Sequence, residues 1–483
     1  MVWFADGGLM RISELKKINP AVLISCGIYL VYLLWMINTS DLSFGLSELK
    51  LMLPLLVLPL VIGSSDSLNK GELKTVLSFF IAGVVLSSLV GFISYNLGTN
   101  ISDIANPRKM SLFITHIRLA LMTNLSIIIS VLYFFSDTSK KARLIYLMAA
   151  LWLTVFLFLL LSVTGIVIFA VLLIISLFMI VRKSESAIIK TSLTLFVSAL
   201  FISAVLFISG EVKAFYKKGN AYSYPLKERT VNGNAYLHYP ERKDIENGNP
   251  VWIYINEAEL RKEWNLRSSI KYDSNDLRAQ KLRFTLIRYL TSAGLTKDSA
   301  GLAELRESDI KFIGNGITNR LFTEGKHIKS KIYEIIWQID YYLKGGNPSG
   351  HSVTQRIEFF KTGWHLFIRN FSFGTGTGDY RNEMIAQYQR DESKLDPGYR
   401  FLPHNQFLTF LVSFGLIGFI LICCSILIPV IMMKAFRSFL FNMFFLIILL
   451  SMFGEDTLET HPGVSFFAYF YSLLVFGKER SEF

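Results

Sequence analysis

The chain is 483 residues long, 52% hydrophobic and only 18% charged, with a mean hydropathy of +0.42. That balance excludes a disordered chain, a fibrous protein and an ordinary soluble enzyme, since soluble domains carry roughly a quarter charged residues. The net charge of +12 would suit nucleic acid in a soluble protein. In a chain whose apolar residues cluster in runs near the ~20 residues of a bilayer crossing it reports topology first, and no nucleic-acid partner is expected.

In chain order, the apolar runs predict spans at residues 19–37, 49–63, 74–97, 112–135, 144–161, 163–181, 188–208, 404–433, 438–453 and 462–476. The expected fold is an all-α polytopic membrane protein of about ten transmembrane helices, eleven or twelve at most. One large, mostly helical extramembrane domain is expected between the seventh and eighth spans. This divides the chain into residues 1–208, 209–403 and 404–483. The first run follows Arg11, Lys16 and Lys17 like a signal-peptide leader, but it is too long and lacks a small-residue cleavage site, so it is expected to stay uncleaved. Cys26, Cys423 and Cys424 all fall in apolar runs, which leaves no disulfide framework and no zinc spacing.

Lys16–Lys17, Lys140–Lys141–Arg143, Arg182–Lys183, Lys434–Arg437 and Lys478–Arg480 mark alternate connections. The positive-inside rule puts these, and both termini, in the cytoplasm. The intervening connections and residues 209–403 then lie outside. The turn near 162–163 is the pivot, because one long tilted helix there would move the large segment to the other side.

The outer segment carries its own pattern. Asn232–Gly233 predicts a hairpin-type turn and Val251–Trp252–Ile253–Tyr254 a short strand. Helical periodicity covers about 276–293, 328–344 and 353–370, with Leu282, Leu286 and Leu290 on one face. The segment holds thirty Lys and Arg against twenty-three Asp and Glu. Long translocated domains largely escape the positive-inside rule. The surplus therefore suits either an anionic lipid or phosphate-bearing ligand, or a merely soluble surface.

Charges inside a span are costly and point to function. Arg118, in Thr115–His116–Ile117–Arg118, sits about 9 Å into the fourth span at ~1.5 Å per residue. It either snorkels to the headgroups or is buried facing a lipid diphosphate. His404, in Pro403–His404–Asn405, is expected at the outer mouth of the eighth span, on a face with Leu408, Leu411 and Gly415. An imidazole there serves as a general base or as a structural hydrogen-bonder, while Gly415 and Gly418 need only close helix packing. The connection Gly454–Glu455–Asp456–Thr457–Leu458–Glu459–Thr460–His461 matches no known metal spacing. Its charges orient a base, pair basic residues or are simply solvated; no metal and no cofactor are predicted. A helix beginning near Arg356 ends at Phe373–Gly374–Thr375–Gly376–Thr377–Gly378–Asp379. Without a βαβ unit these glycines are no dinucleotide fingerprint. They cradle a phosphate with backbone amides or make a tight turn back to the membrane surface. The expected topology puts His116, Arg118, Arg356, His404 and Glu455 all near the outer leaflet.

His404–Asn405 followed by Gly415 and Gly418 resembles the His-Asn…Gly-x-x-Gly signature of the O-antigen ligase and polymerase superfamily. Ser352-x-x-x-Arg356…Trp364…Phe373–Gly374–Thr375–Gly376–Thr377–Gly378 is similar to the segment preceding it. Leu286–Ile287–Arg288–Tyr289–Leu290–Thr291–Ser292, the His116–Arg118 pair and Glu455–Asp456–Thr457–Leu458–Glu459 resemble ligase-type members from Bacteroidetes. The resemblance implies a metal-independent glycosyltransferase of the bacterial inner membrane, active on its periplasmic face, which makes the outer domain periplasmic. It implies an undecaprenyl-diphosphate-linked glycan as donor and a sugar hydroxyl of lipid A–core as acceptor, met at the membrane lipid. His404 would be the catalytic base, Arg356, Arg118 and Arg288 would bind the diphosphate, and His116, Asn405 and Glu455 would support them. Many members carry Ser-Arg-Gly where this chain has Ser162–Val163–Thr164–Gly165. The rival functions are the polymerase of the same superfamily, a protein O-oligosaccharyltransferase and a lipid-glycan transporter, although neither the internal repeats nor the midplane ionisable residues of transporters are evident.

Overall fold

Prolines and short polar residues set the helix boundaries in this computed structural model, which describes residues 19–97, 107–183, 185–216, 226–242, 244–323 and 327–477. The expected basic flanks Arg11, Lys16, Lys17, Lys478 and Arg480 lie outside the described residues. Helix α1 (Pro20–Asn38) starts behind Asn19, whose side chain accepts from the Ala21 N–H, with Pro20 at the first helical position. A proline costs nothing there, because that N–H has no helical partner in any case. Helix α2 (Leu42–Ser64) is capped by Asp41 and interrupted at Leu53, just before Pro54. Then follow α3 (Lys70–Leu97), α4 (His116–Ser136), α5 (Lys140–Leu159), α6 (Val163–Lys183) and α7 (Ala187–Tyr216). The pivotal short turn is a true break: α5 and α6 are separate helices, parted at Leu160–Ser162 with Leu161 at φ +50°.

Next come α8 (Glu257–Arg267), α9 (Leu282–Ser292), α10 (Ser299–Ala303), α11 (Glu307–Gly314), α12 (His327–Leu343), α13 (Ser352–Arg369) and α14 (Tyr380–Arg390). The chain ends with α15 (Gln406–Met432), α16 (Phe439–Gly454) and α17 (His461–Val475). The protein is all-α and polytopic: among the described residues eight helices, α1–α7 and α15, are long and apolar enough to cross a membrane. The last two expected spans are shorter. Helix α16 has 16 residues and α17 has 15, which at ~1.5 Å per residue falls short of a ~30 Å hydrocarbon core. Helix α4 also starts four residues later than expected, so Arg118 lies in its first turn.

The described residues form two compact units. One draws on residues 19–97, 107–180 and 342–477, the other on the described part of 181–341. The core of the first unit runs from Val22, Ile28 and Tyr32 in α1 through Phe410 and Phe414 in α15 to Phe444 and Phe467 in α16 and α17. Leu153, Phe156 and Leu157 of α5 pack with Leu119 and Ala120 of α4. Gly165 lets α6 approach closely, since a Cβ there would overlap the Ala120 methyl. Phe359, Leu366 and Phe367 of α13, Tyr380, Met384 and Tyr388 of α14, and Leu408 and Val412 of α15 make a further cluster. It docks the two amphipathic helices against the membrane helix.

In the second unit, Leu260, Trp264, Leu282, Leu286, Leu290 and Ile313 form the core. Asn232–Gly233 makes the expected turn, with Thr230 N–H donating to Asn234 O at 2.8 Å. The strand expected at 251–254 is a turn instead, and the hairpin sits just before it. Strands β1 (Ile245–Glu246) and β2 (Asn249–Pro250) pair antiparallel around Asn247–Gly248, both at positive φ. Asn-Gly satisfies that two-residue turn without strain, whereas among the described residues Val251–Tyr254 makes only scattered backbone bonds and no ladder. None of the apolar window of α7 is buried.

Candidate active site at the start of α15

The break in α15 organises the site. Gly415 has φ +63° and ψ −170° inside an otherwise helical run, a conformation that only glycine adopts cheaply. The break frees carbonyls before it and amides after it, and these must be paired inside an apolar surround. The glycine-rich run supplies the partners. Thr375 and Gly376 N–H donate to Val412 and Ser413 O at 2.9 Å, while Leu416 and Ile417 N–H donate to Phe371 and Ser372 O at 2.8 and 3.2 Å. Gly374 is itself at φ +67°, and a Cβ there would lie 2.5 Å from the Phe414 and Gly415 nitrogens. On the other side of the run Trp35 Nε1 donates to Phe373 O, and Asp379 accepts from Ser40 and Asp41 N–H. Of the two expected roles for the run, the amides of Thr375 and Gly376 are therefore spent on backbone rather than free for a phosphate.

His404 is not on the α15 face with Leu408 and Leu411, as the sequence suggested. The helix starts at Gln406, capped by the Asn405 side chain, which accepts from Leu408 N–H at 3.0 Å. His404 precedes the cap at φ +50°. That turn lifts its ring out of the helix line, against Phe359 at 5.4 Å between centroids, and leaves the side chain 36% exposed. The backbone is pinned: His404 N–H donates to Asp456 Oδ2 at 3.0 Å, and Asn405 Nδ2 donates to Phe453 O at 3.0 Å.

Glu455 is the centre of charge. Its carboxylate is 7% exposed and is shared by Arg356, by Arg118 Nη1 at 3.6 Å and by His404 Nδ1 at 3.7 Å. Arg118 does not snorkel. Only 6% exposed, it donates to Asp456 O at 2.7 Å and to Thr460 Oγ1 at 3.3 Å, so its donors tie α4 to the 454–461 connection. His116, at the first residue of α4, feels the charges of Glu455, Arg118 and Arg356. Burial opposes ionisation of Glu455, but the contact with His404 and the charges of Arg356 and Arg118 prevail and hold its carboxyl below the usual range. Its neighbour behaves oppositely. Burial pushes Asp456 up to about 6, with Glu459 and Glu455 adding to the rise against Thr409 and His404.

Deeper still, Glu459 is a hub. It accepts from Tyr32 Oη at 3.0 Å, Gln406 Nε2 at 3.0 Å and Tyr380 Oη at 3.3 Å. Gln406 Oε1 takes the Leu458 N–H at 2.7 Å. Together these bonds fix the first turn of α15, and hence His404, to α1, α14 and the acidic connection. A cleft of about 570 Å³ is lined by Arg118, Arg381, Arg400, His404, Glu455, Asp456 and Glu459 among others.

His116, Arg118, Arg356, His404, Asn405 and Glu455 thus converge from four separate segments. Arg288 belongs to the second unit, where Nε donates to buried Glu246 at 2.6 Å and the guanidinium lies over Trp337. Sequence reasoning missed Asp456 and Glu459 as individual roles, together with Tyr32, Tyr380, Gln406, Arg381 and Arg400. Only Glu459 and Asp456 carried a signal, as carboxylates between two apolar runs.

Residues 312–423 match the family model described as O-Antigen ligase (Wzy_C). The match covers less than a quarter of the chain and makes that stretch similar to the O-antigen ligase family. No curated protein matches the chain. The matched stretch contains Arg356, the glycine-rich run, His404, Asn405 and the broken first half of α15. Arg118, Glu455, Asp456 and Glu459 reach the cleft from outside that stretch.

Proposed function

We propose that this protein is an O-antigen ligase-type glycosyltransferase of the bacterial inner membrane. It moves a glycan from undecaprenyl diphosphate to a sugar hydroxyl of lipid A–core on the periplasmic face. The observation that carries this reading is a part-exposed His404 set 3.7 Å from a carboxylate that two arginines already hold ionised.

The reaction forms a bond from the acceptor oxygen to the anomeric carbon and breaks that carbon's bond to the diphosphate oxygen. The electron pair leaves on the diphosphate, and the acceptor proton must go elsewhere. With Nδ1 turned toward Glu455, His404 has Nε2 free to take that proton, and anionic Glu455 stabilises the imidazolium. Arg356 pairs with the same carboxylate yet keeps its side chain 42% exposed, which suits it to the charge developing on the leaving diphosphate. Arg118 acts from beneath, orienting Glu455. A carrier that never leaves the bilayer is served by a cleft opening beside membrane helices.

Two measurements test the reading. In a strain lacking the protein, a ligase leaves long glycans stranded on undecaprenyl diphosphate. Single repeats there would indicate a polymerase, and an unaltered glycolipid profile would refute both. His404→Ala should abolish transfer at unchanged membrane abundance, so full ligation in that variant rules out the general base.

A further inference from the structure

Charge in the cleft is unevenly spent. Arg118 and Arg356 share Glu455, so the pair closest to His404 is partly neutralised before any substrate arrives. Two other arginines border the same cleft, Arg381 and Arg400. Among the described residues neither has a carboxylate oxygen within 4.0 Å. Arg381 lies over the Phe44 ring, 5.9 Å from the centroid, and feels the Glu48 charge without an ion-pair contact to it. Arg400 donates Nε to Leu395 O at 3.1 Å, which orients the guanidinium and leaves both terminal nitrogens uncommitted.

Both side chains stand on rigid supports. Arg381 is the second residue of α14, whose Tyr380, Met384 and Tyr388 are buried in the cluster with Phe359 and Leu408. The helical period therefore turns Arg381 and Ile385 outward to the cleft. Arg400 follows the 3-10 turn Pro397–Tyr399, and Tyr388 Oη closes that loop by donating to Phe401 O at 2.8 Å. A neutral sugar offers no reason to line one cleft with two guanidiniums that no carboxylate contacts. Planar forks with free terminal N–H groups match the oxygens of a phosphoryl group.

We propose that Arg381 and Arg400 form a phosphoryl-recognition site in the cleft wall, separate from the Arg118–Glu455–Arg356 cluster. This rests on the glycosyltransferase reading, in which two phosphate-bearing glycolipids enter the cleft. The bound group is either the donor diphosphate or a phosphate on the acceptor, and the same chemistry recognises both.

The full chain in lipid nanodiscs is titrated with undecaprenyl diphosphate and undecaprenol, and with lipid A–core before and after enzymatic dephosphorylation. Wild type is compared with Arg381→Gln, Arg400→Gln and the doubly charge-retaining Arg381→Lys/Arg400→Lys. Loss of a charge-assisted contact predicts Kd values raised about tenfold in each Gln variant, with partial recovery in the Lys variant. Weaker binding of undecaprenyl diphosphate alone assigns the site to the donor. Weaker binding of phosphorylated but not dephosphorylated acceptor assigns it to the acceptor. Unchanged affinity for both phosphates overturns the proposal, as does an equal loss for the phosphate-free forms. If the Gln variants do not fold, the Lys variant decides alone: wild-type affinity for every ligand, or an equal loss for phosphate-free forms, counts against the site. Binding is read without glycan transfer. A protein that holds phosphate through these arginines but leaves cellular glycolipids unaltered therefore fails the ligase reading instead.

Discussion

Glu455 and Asp456 are adjacent carboxylates that answer pH in opposite directions. Asp456 is raised to about 6 from an ordinary 3.8, so its stabilising share is complete below the ordinary value and is lost as pH rises through 6. Glu455 is held low, so its share is present above the ordinary carboxylate range and is lost only on acidification. Replacing Asp456→Asn removes the cost of a buried charge. The difference in Tm, variant minus wild type, should therefore grow between about pH 5 and pH 7.5 in detergent. A difference independent of pH would contradict the assignment. His404 was visible in the sequence through its motif, and Arg118 through the cost of a cation near lipid. Glu459 was not distinguishable from solvated loop charge. Its partners Tyr32 and Tyr380 lie 427 and 79 residues away, and no local pattern encodes such distances.

The crossing of α15 with the glycine-rich run is a single element made of two distant segments. Gly415→Ala or Gly374→Ala would meet both a left-handed backbone and an overlap with backbone atoms, and nothing can shift without breaking the exchanged hydrogen bonds. Gly233 is also at positive φ, +83°, but with open space around it. Gly233→Ala should cost only the conformational penalty of about 1 kcal/mol. The crossing variants should cost clearly more, roughly 2–4 kcal/mol, seen as a lower Tm or loss of extractable folded protein. Equal effects at all three positions would rule out the crossing as a packing constraint. Most helix boundaries were readable to within a few residues because capping and proline signals are local, but α2 begins seven residues before the expected span and α7 runs eight beyond it. The Asn-Gly hairpin at 247–248 was passed over for a β-rich run just after it. The turn residues, not the β-branched ones, decided where pairing began.

For the molecule as a whole, the alternate basic clusters predict that residues 140–143 and 434–437 face the cytoplasm and that 209–403 lie outside. Alkaline phosphatase, active only outside, should report when fused after residue 350 and stay silent when fused after residue 140. A reversed pattern would place the cleft on the wrong face for a periplasmic acceptor. The sequence by itself determined the all-α membrane class, the positions of the long apolar helices and the residue that the family signature marks. Those properties depend on hydrophobic length and on helix-end chemistry within a few residues, so the local sequence contains them. Only the tertiary structure decided which charges meet. Arg118 and Asp456 are 338 residues apart, Arg356 and Glu455 are 99 apart, and His404 and Asp456 are 52 apart. Burying a charge is tolerable only where an opposite charge or a donor is brought to it, and that requirement selects partners through the packing of helices rather than through their order in the chain.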